Sequence, residues 1–122
     1  MSSTRLALSL DCDDPRPLSR FWADLLGGNV VVTSDDHAVV EVDRTLLLVA
    51  MRVKHYVAPT WPQGTVPKQM HIDVEVDDVV EAERRAVSLG ATRPESQLAP
   101  DIFRVLLDPA GHPFCLSTAF PT

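Results

Sequence analysis

The chain has little of several things. Only two of its 122 residues, Cys12 and Cys115, are cysteine. They stand in no CxxC or Cys/His spacing, so nothing suggests a zinc or redox motif. Both are expected as free thiols in a reducing compartment. Cationic side chains are also scarce: 11 Lys and Arg face 17 Asp and Glu, a formal charge of −6. Apart from Arg84-Arg85 they are scattered singly, so there is no basic stripe to bind nucleic acid or an anionic membrane surface. Long apolar runs are missing too. The longest, Leu46 to Met51, is far shorter than a membrane span. The opening MSSTRLALSLDCDDP alternates apolar with polar residues and meets Asp11, Asp13 and Asp14 early. That is unlike the core of a signal peptide, and a cytoplasmic location is expected.

What is present reads as a globular chain. Apolar residues make up 45% and charged residues 23%, close to the average for folded domains. The length suits a single domain over residues 1–122 with its own core.

Leu6, Leu8, Leu10 and Cys12 alternate with Ala7, Ser9 and Asp11, the period of a half-buried strand. A helix follows in DDPRPLSRFWADLLGG. Asp14 suits the N-cap, Pro15 the first helical position, and Gly27 or Gly28 the left-handed stop. Leu18, Phe21, Trp22, Leu25 and Leu26 fall on one stripe at helical spacing, which makes Phe21 and Trp22 packing residues. Strands are expected at 29–33, 38–42 and 46–51, separated by Ser34-Asp35-Asp36 and Asp43-Arg44-Thr45. A segment with Pro59, Pro62, Gly64 and Pro67 then excludes regular structure, and 53–68 reads as a linker.

The pattern then restarts. Met70, Ile72, Val74 and Val76 alternate with His71, Asp73, Glu75 and Asp77 over 69–77. Asp78 caps a second helix, with Glu81 placed for a capping box. Its buried stripe is Val79, Ala82, Ala86 and Leu89, and Gly90 stops it. Strands are expected at 92–94, 102–107 and 113–118, with the turn Asp108-Pro109-Ala110-Gly111 before the last and a positive φ at Gly111. Each half, 5–52 and 69–118, thus reads strand, Asp-capped helix, Leu-Gly stop, three strands. Superposing the halves puts Asp14 on Asp78, Leu26-Gly27 on Leu89-Gly90 and Ala7 on His71. A recurring order of elements marks a duplicated unit. A small sheet with one helix cannot bury both its faces alone. The expected fold is α+β: two βαβββ units, eight strands in curved sheets around a central cavity, helices outside.

With these strings, DDPRPLSRFWADLLGG, KQMHIDVEVDD, SLGA and LLDPAGHPFCL, the chain resembles the vicinal oxygen chelate superfamily over residues 5–118. That superfamily includes glyoxalase I, bleomycin-resistance proteins and extradiol dioxygenases, and the likeness is to its small glyoxalase-like domains. The resemblance implies a ligand cavity between the sheets. In metal-dependent members it also implies His, Glu or Gln ligands on the first and last strand of each unit, around a divalent ion that acts as a Lewis acid. Here those positions match Ala7, the stretch 49–51 with Met51 as nearest candidate, His71 and Cys115. Ala7 has no donor, and a thioether is a poor ligand for zinc, nickel, iron or manganese. No metal or other cofactor is therefore expected; a divalent metal is the minority reading. Homodimers are common in the superfamily, so a homodimer is compatible with the resemblance.

His71 is the first site candidate, as a general base or a hydrogen-bonding group on the cavity wall; its alternative is a structural histidine. Cys115 reads as a reactive thiol or ligand, or as a small buried filler. Asp73 and Glu75 share the His71 face, where Arg104 or Arg5 could pair with them; they bind a cationic or hydroxylated ligand, or are simply solvated. Tyr56 and Trp61 lie outside any helical stripe and either close over a ligand or cover a seam. Three functions stay open. One is binding of a small organic molecule without the usual four-ligand metal site, with or without His71-based chemistry. Another is a lyase, isomerase or dioxygenase with an atypical metal set in which His71, Cys115, Glu41 and His55 converge. The last is a bleomycin-resistance-type sequestering protein. Whether the chain is an enzyme is not decided by its sequence.

Overall fold

The computed structural model describes residues 5–62 and 70–121. Part of the proline-rich linker, residues 63–68, and the expected strand start at Gln69 lie outside the described residues. The chain divides into two compact units, Met1–Val57 and Ala58–Thr122.

In the first unit, β1 (Leu6–Cys12) leads into α1 (Pro15–Leu26), followed by β2 (Asn29–Thr33), β3 (His37–Glu41) and β4 (Leu46–Arg52). The sheet order is β1-β4-β3-β2, with β1 parallel to β4 and the other pairs antiparallel. Asp14 accepts the Arg16 amide at 3.1 Å, and Gly27 takes φ 71° at the helix end. The left-handed stop is therefore Gly27. Gly28 has a separate duty: a Cβ there would lie 2.6 Å from the Glu41 carbonyl oxygen. Leu18, Phe21 and Trp22 are buried, with Cys12, Ala38, Val40, Leu48 and Ala50 of the strands. Helix α1 packs on β2, β3 and β4. The Phe21 and Trp22 rings meet edge-to-face at 5.3 Å, a favoured aromatic geometry.

The second unit repeats the order with β5 (Ile72–Glu75), α2 (Val79–Leu89), β6 (Phe103–Leu107) and β7 (Pro113–Ser117). Its sheet order is β5-β7-β6, with β5 parallel to β7 and β6 antiparallel to it. The last strand thus pairs parallel with the first in both units, as duplication requires. Asp78 accepts the Val80 and Glu81 amides at 3.0 and 3.3 Å, while the Glu81 carboxylate pairs with Arg84. Val79 and Ala86 are buried, and α2 packs on β6 and β7, where Leu106, Phe114 and Leu116 are buried.

The described residues hold seven strands rather than the expected eight. Of the expected strand 92–94, only Thr92 pairs, through both its amide and its carbonyl to Leu107. Pro94 has no N–H to continue the ladder. Farther along β6, the Gln97 side chain does what a strand would do. Its Oε1 accepts the Val105 amide at 2.9 Å, and its Nε2 donates to the Val105 carbonyl at 3.0 Å. In the turn before β7, Gly111 adopts φ 88° and the buried Asp108 carboxylate accepts the Ala110 and His112 amides. Among the described residues, no helix is long and apolar enough to cross a membrane.

Candidate functional site

Strand parity builds the site. Side chains of a strand alternate between its faces, and paired residues share one. Asp73 pairs with Cys115, Glu75 and Phe103 with Ser117, and Val105 with Cys115. His71, Asp73, Glu75, Cys115, Ser117, Val105 and Phe103 therefore share a face, while Ile72, Val74, Leu106, Phe114 and Leu116 lie on the other, under α2. A pocket of about 230 Å³ opens on the first face. Its walls include His71, Asp73, Cys115, Ser117 and Phe103, and Trp61 and Leu98 close its sides.

Within it, His71 Nε2 lies 3.0 Å from Asp73 Oδ1. The His71 side chain is 24% exposed and the Asp73 side chain 48%, so the pair meets solvent on one side. With the proton on Nε2, the carboxylate accepts it. In neutral imidazole that leaves the lone pair on Nδ1, free to accept a proton or a ligand's hydrogen bond. The Trp61 and His71 ring centroids are 5.7 Å apart with planes tilted by 33°, which restricts the imidazole. Cys115 is buried, at 3% exposure, yet its side chain lines the pocket. Among the described residues neither cysteine forms a disulfide.

The structure thus brings together His71, Asp73, Cys115 and Trp61. Glu75 shares their face but is exposed and absent from the pocket wall. Tyr56 is half-buried, stands next to the last residue of the first unit and also lies outside that wall. The cationic partners expected for the acidic pair require correction. Arg104 pairs with Leu116, on the α2 side of the sheet. There it donates to Glu83 Oε1 at 3.2 Å and to the Pro100 carbonyl at 3.0 Å. Arg93 reaches the same Glu83 oxygen at 2.9 Å. Arg5 pairs with Glu41 at 3.5 Å within the first unit. Asp73 instead takes His71 as its partner. Phe103, Ser117 and Leu98 were missed by sequence reading. The first two follow from parity once the register of β6 on β7 is known; Leu98 sits in a loop that carries no such signal.

In the first unit Ser9 pairs with Val49, as Asp73 pairs with Cys115 in the second. Val49 is therefore the counterpart of Cys115. Met51, named as nearest candidate, pairs with Asp11 farther along. Ala7 and Val49 carry no donor atom, so the residues present do not fit the four-position ligand set. The second unit alone gathers a different one: single donor atoms of His71, Asp73 and Cys115 lie within 4.8 Å of one another. Imidazole, carboxylate and thiol could together hold a zinc-type ion.

Comparison with protein families finds that residues 7–117 match the glyoxalase-like domain model. The chain belongs to the glyoxalase-like domain family. Solved structures agree in fold. The fosfomycin resistance protein FosX from Mesorhizobium loti superposes with a TM-score of 0.70 at 16% identity, covering 98% of this chain and 94% of its own. A possible glyoxalase from Bacillus cereus gives 0.67 at 18%, covering 95% and 99%. Glyoxalase I from Leishmania major gives 0.59 at 18%, covering 95% and 86%. Comparison with curated proteins finds no match. At these identities the likeness to solved structures establishes the glyoxalase-like fold and leaves the chemistry to the residues.

Proposed function

We propose that this glyoxalase-like domain binds a small organic molecule in the pocket of its second unit, without the four-ligand metal site of metal-dependent relatives. The observation that carries the reading is the His71–Asp73 pair at 3.0 Å in the wall of a pocket flanked by Trp61 and Phe103. An imidazole with an available nitrogen, a half-exposed carboxylate and an indole suit a flat molecule bearing a hydroxyl or a cationic group. His71 hydrogen-bonds the polar group of the ligand and, if the domain is an enzyme, acts as its general base.

Two measurements test this. Protein purified without chelator is expected to hold far less than one equivalent of zinc, nickel, iron or manganese; a stoichiometric metal would overturn the metal-independent reading. Fluorescence titration with small hydroxylated and cationic aromatics, phenol and benzylamine among them, is expected to give a saturable change. It should vanish in Trp61→Phe and weaken by roughly tenfold, the ~1.4 kcal/mol of a modest hydrogen bond, in His71→Ala. An unchanged response in His71→Ala rejects the site. The second reading, a metal-dependent enzyme with an atypical ligand set, draws on the three donors within 4.8 Å. It gains nothing from Glu41, which pairs with Arg5, and the metal analysis decides between the two.

A further inference from the structure

We infer that Cys115 is a base-activated nucleophile that captures small electrophiles entering the pocket as covalent thioether adducts. The inference uses the pocket assigned above but not its reversible ligand, and its test reads the thiol itself, so either reading can fail alone. Three observations carry it. Cys115 lines the pocket and strand parity turns its side chain to that face, so an electrophile seated there approaches the sulfur despite the low exposure of the residue. Its Sγ belongs to a cluster in which donor atoms of His71 and Asp73 lie within 4.8 Å. And His71 is already held by Asp73 through Nε2 at 3.0 Å. Thiol, imidazole and carboxylate are the residue types of nucleophile, base and orienting group, and their gathering within 4.8 Å leaves a small side-chain movement to bring thiol and imidazole into hydrogen-bond reach. Cys12 provides the contrast. It is fully buried, its Sγ donates to the Met51 carbonyl at 3.5 Å, and it belongs to no such cluster among the described residues.

The substrate class is an α,β-unsaturated carbonyl compound small enough for about 230 Å³, with its flat apolar part against Trp61 and Phe103. The Cys115 thiol proton passes to His71. The sulfur electron pair forms a C–S bond at the β-carbon as the C=C π pair shifts towards the carbonyl as an enolate. The proton held by His71 then returns to the α-carbon. The sum is addition of S–H across C=C, with no oxidant, reductant or other reactant. Asp73 acts through His71 and is a positioning residue. Among the described residues of the second unit, the titratable groups on the face of the thiol are Asp73 and Glu75 on β5 and His71 just before it; the β6 residues on this face, Val105 and Phe103, do not titrate.

The test is alkylation of the full chain by N-ethylmaleimide, itself an α,β-unsaturated carbonyl compound, with labelling of Cys115 and Cys12 followed separately by peptide mass spectrometry. Cys115 is expected to label at least about tenfold faster than Cys12, and His71→Gln to slow it by at least about tenfold, the low end of general-base assistance. Across pH 6 to 8 the rate at Cys115 should rise less steeply in wild type than in His71→Gln, which should behave as an ordinary thiol and gain about tenfold per pH unit. Asp73→Asn should move the profile the same way by a smaller amount. Cys12 reports folding: if it labels quickly in His71→Gln, that variant has opened, and Asp73→Asn carries the decision. The inference is overturned if Cys115 labels no faster than Cys12, if both variants keep the wild-type rate and pH profile, or if Cys115 labels only after treatment with a chelator, which would mean that a metal holds the thiol.

Discussion

Gln97 shows how a single side chain can complete a sheet edge. Both backbone groups of the fully buried Val105 that face away from β7 are satisfied by its amide. Replacing it by Leu leaves a buried N–H and C=O without partners, and each unsatisfied buried group costs about 1–3 kcal/mol. Gln97→Leu is therefore expected to lower the denaturant midpoint measurably with an unchanged slope, and to loosen the loop that carries Leu98 to the pocket. A midpoint within error of wild type would show that water replaces the amide. Asp43 makes a prediction of a different kind. Its Oδ1 accepts the Thr45 amide at 2.7 Å, the Thr45 hydroxyl at 2.8 Å and the Leu46 amide at 3.0 Å. These bonds, the Thr45 amide first, hold the carboxyl below its ordinary value. A lowered folded value means that the charged form favours the fold. The stabilisation is complete above the ordinary carboxylate range, about pH 4, and is lost as pH falls through the lowered value. Asp43→Asn should melt below wild type at neutral pH, and the gap should close on acidification; a gap that widens in acid contradicts the assignment. At this scale the sequence was legible where periodicity spoke. His71, Asp73 and Glu75 share a face because they alternate. Arg104 was misplaced because only the register of β6 on β7 decides which parity of β6 faces the pocket, and that register is a long-range fact. Gln97 was invisible for the same reason.

The elements were marked locally and therefore read well. Both helices begin after an aspartate that accepts first-turn amides and end at a glycine, signals that act within a few residues of chain. The adjacent glycines after α1 separate local from long-range causes. Gly27 is required by its φ of 71°, with open space around its missing Cβ. Gly28 is required by the Glu41 carbonyl oxygen, 2.6 Å from where a Cβ would stand. Gly27→Asn should thus be nearly neutral, since Asn tolerates the left-handed region, while Gly27→Ala should cost about 1–2 kcal/mol. Gly28→Ala should cost about 1–3 kcal/mol through overpacking against the strand, and Gly28→Asn no less. Thermal unfolding of the four variants checks this, and relief of the Gly28 defect by Asn would refute the steric account. The second unit's missing strand has the opposite character. Thr92 to Pro94 carries a strand-like pattern, but the β6 edge next to it is already occupied by Gln97, a competitor no local pattern reveals. At the β2 edge of the first sheet, the pairing with β3 shifts register between Val30 and Val32, and all three valines there are exposed. Such a bulge twists an otherwise adhesive edge strand.

Across the whole molecule, duplication was the most legible property, because it repeats a local order of elements and needs no identity between residues. The chemistry did not duplicate with it. The face that bears His71, Asp73 and Cys115 in the second unit bears Ala7, Ser9 and Val49 at the matching places of the first. The same division distributes the two tryptophans. Trp22 is 1% exposed in the α1 core of the first unit, and Trp61 stands beside His71 in the second. Each unit of about sixty residues covers one sheet face with its single helix, and a chain that short buries only about 60% of its surface, too little for comfortable stability on its own. The two are therefore expected to unfold together. Single-tryptophan variants resolve the question, since Trp→Phe keeps most of the packing volume. Trp61→Phe leaves Trp22 to report the first unit, and Trp22→Phe leaves Trp61 to report the second. Each fluorescence transition, compared with the far-ultraviolet dichroism of the same variant, should have a coincident midpoint if unfolding is two-state. If Trp61 changes at lower denaturant than the dichroism, the site-bearing unit opens first. Stability would then have to be assigned unit by unit, and the reactivity of Cys115 would track that local opening instead of the native pocket.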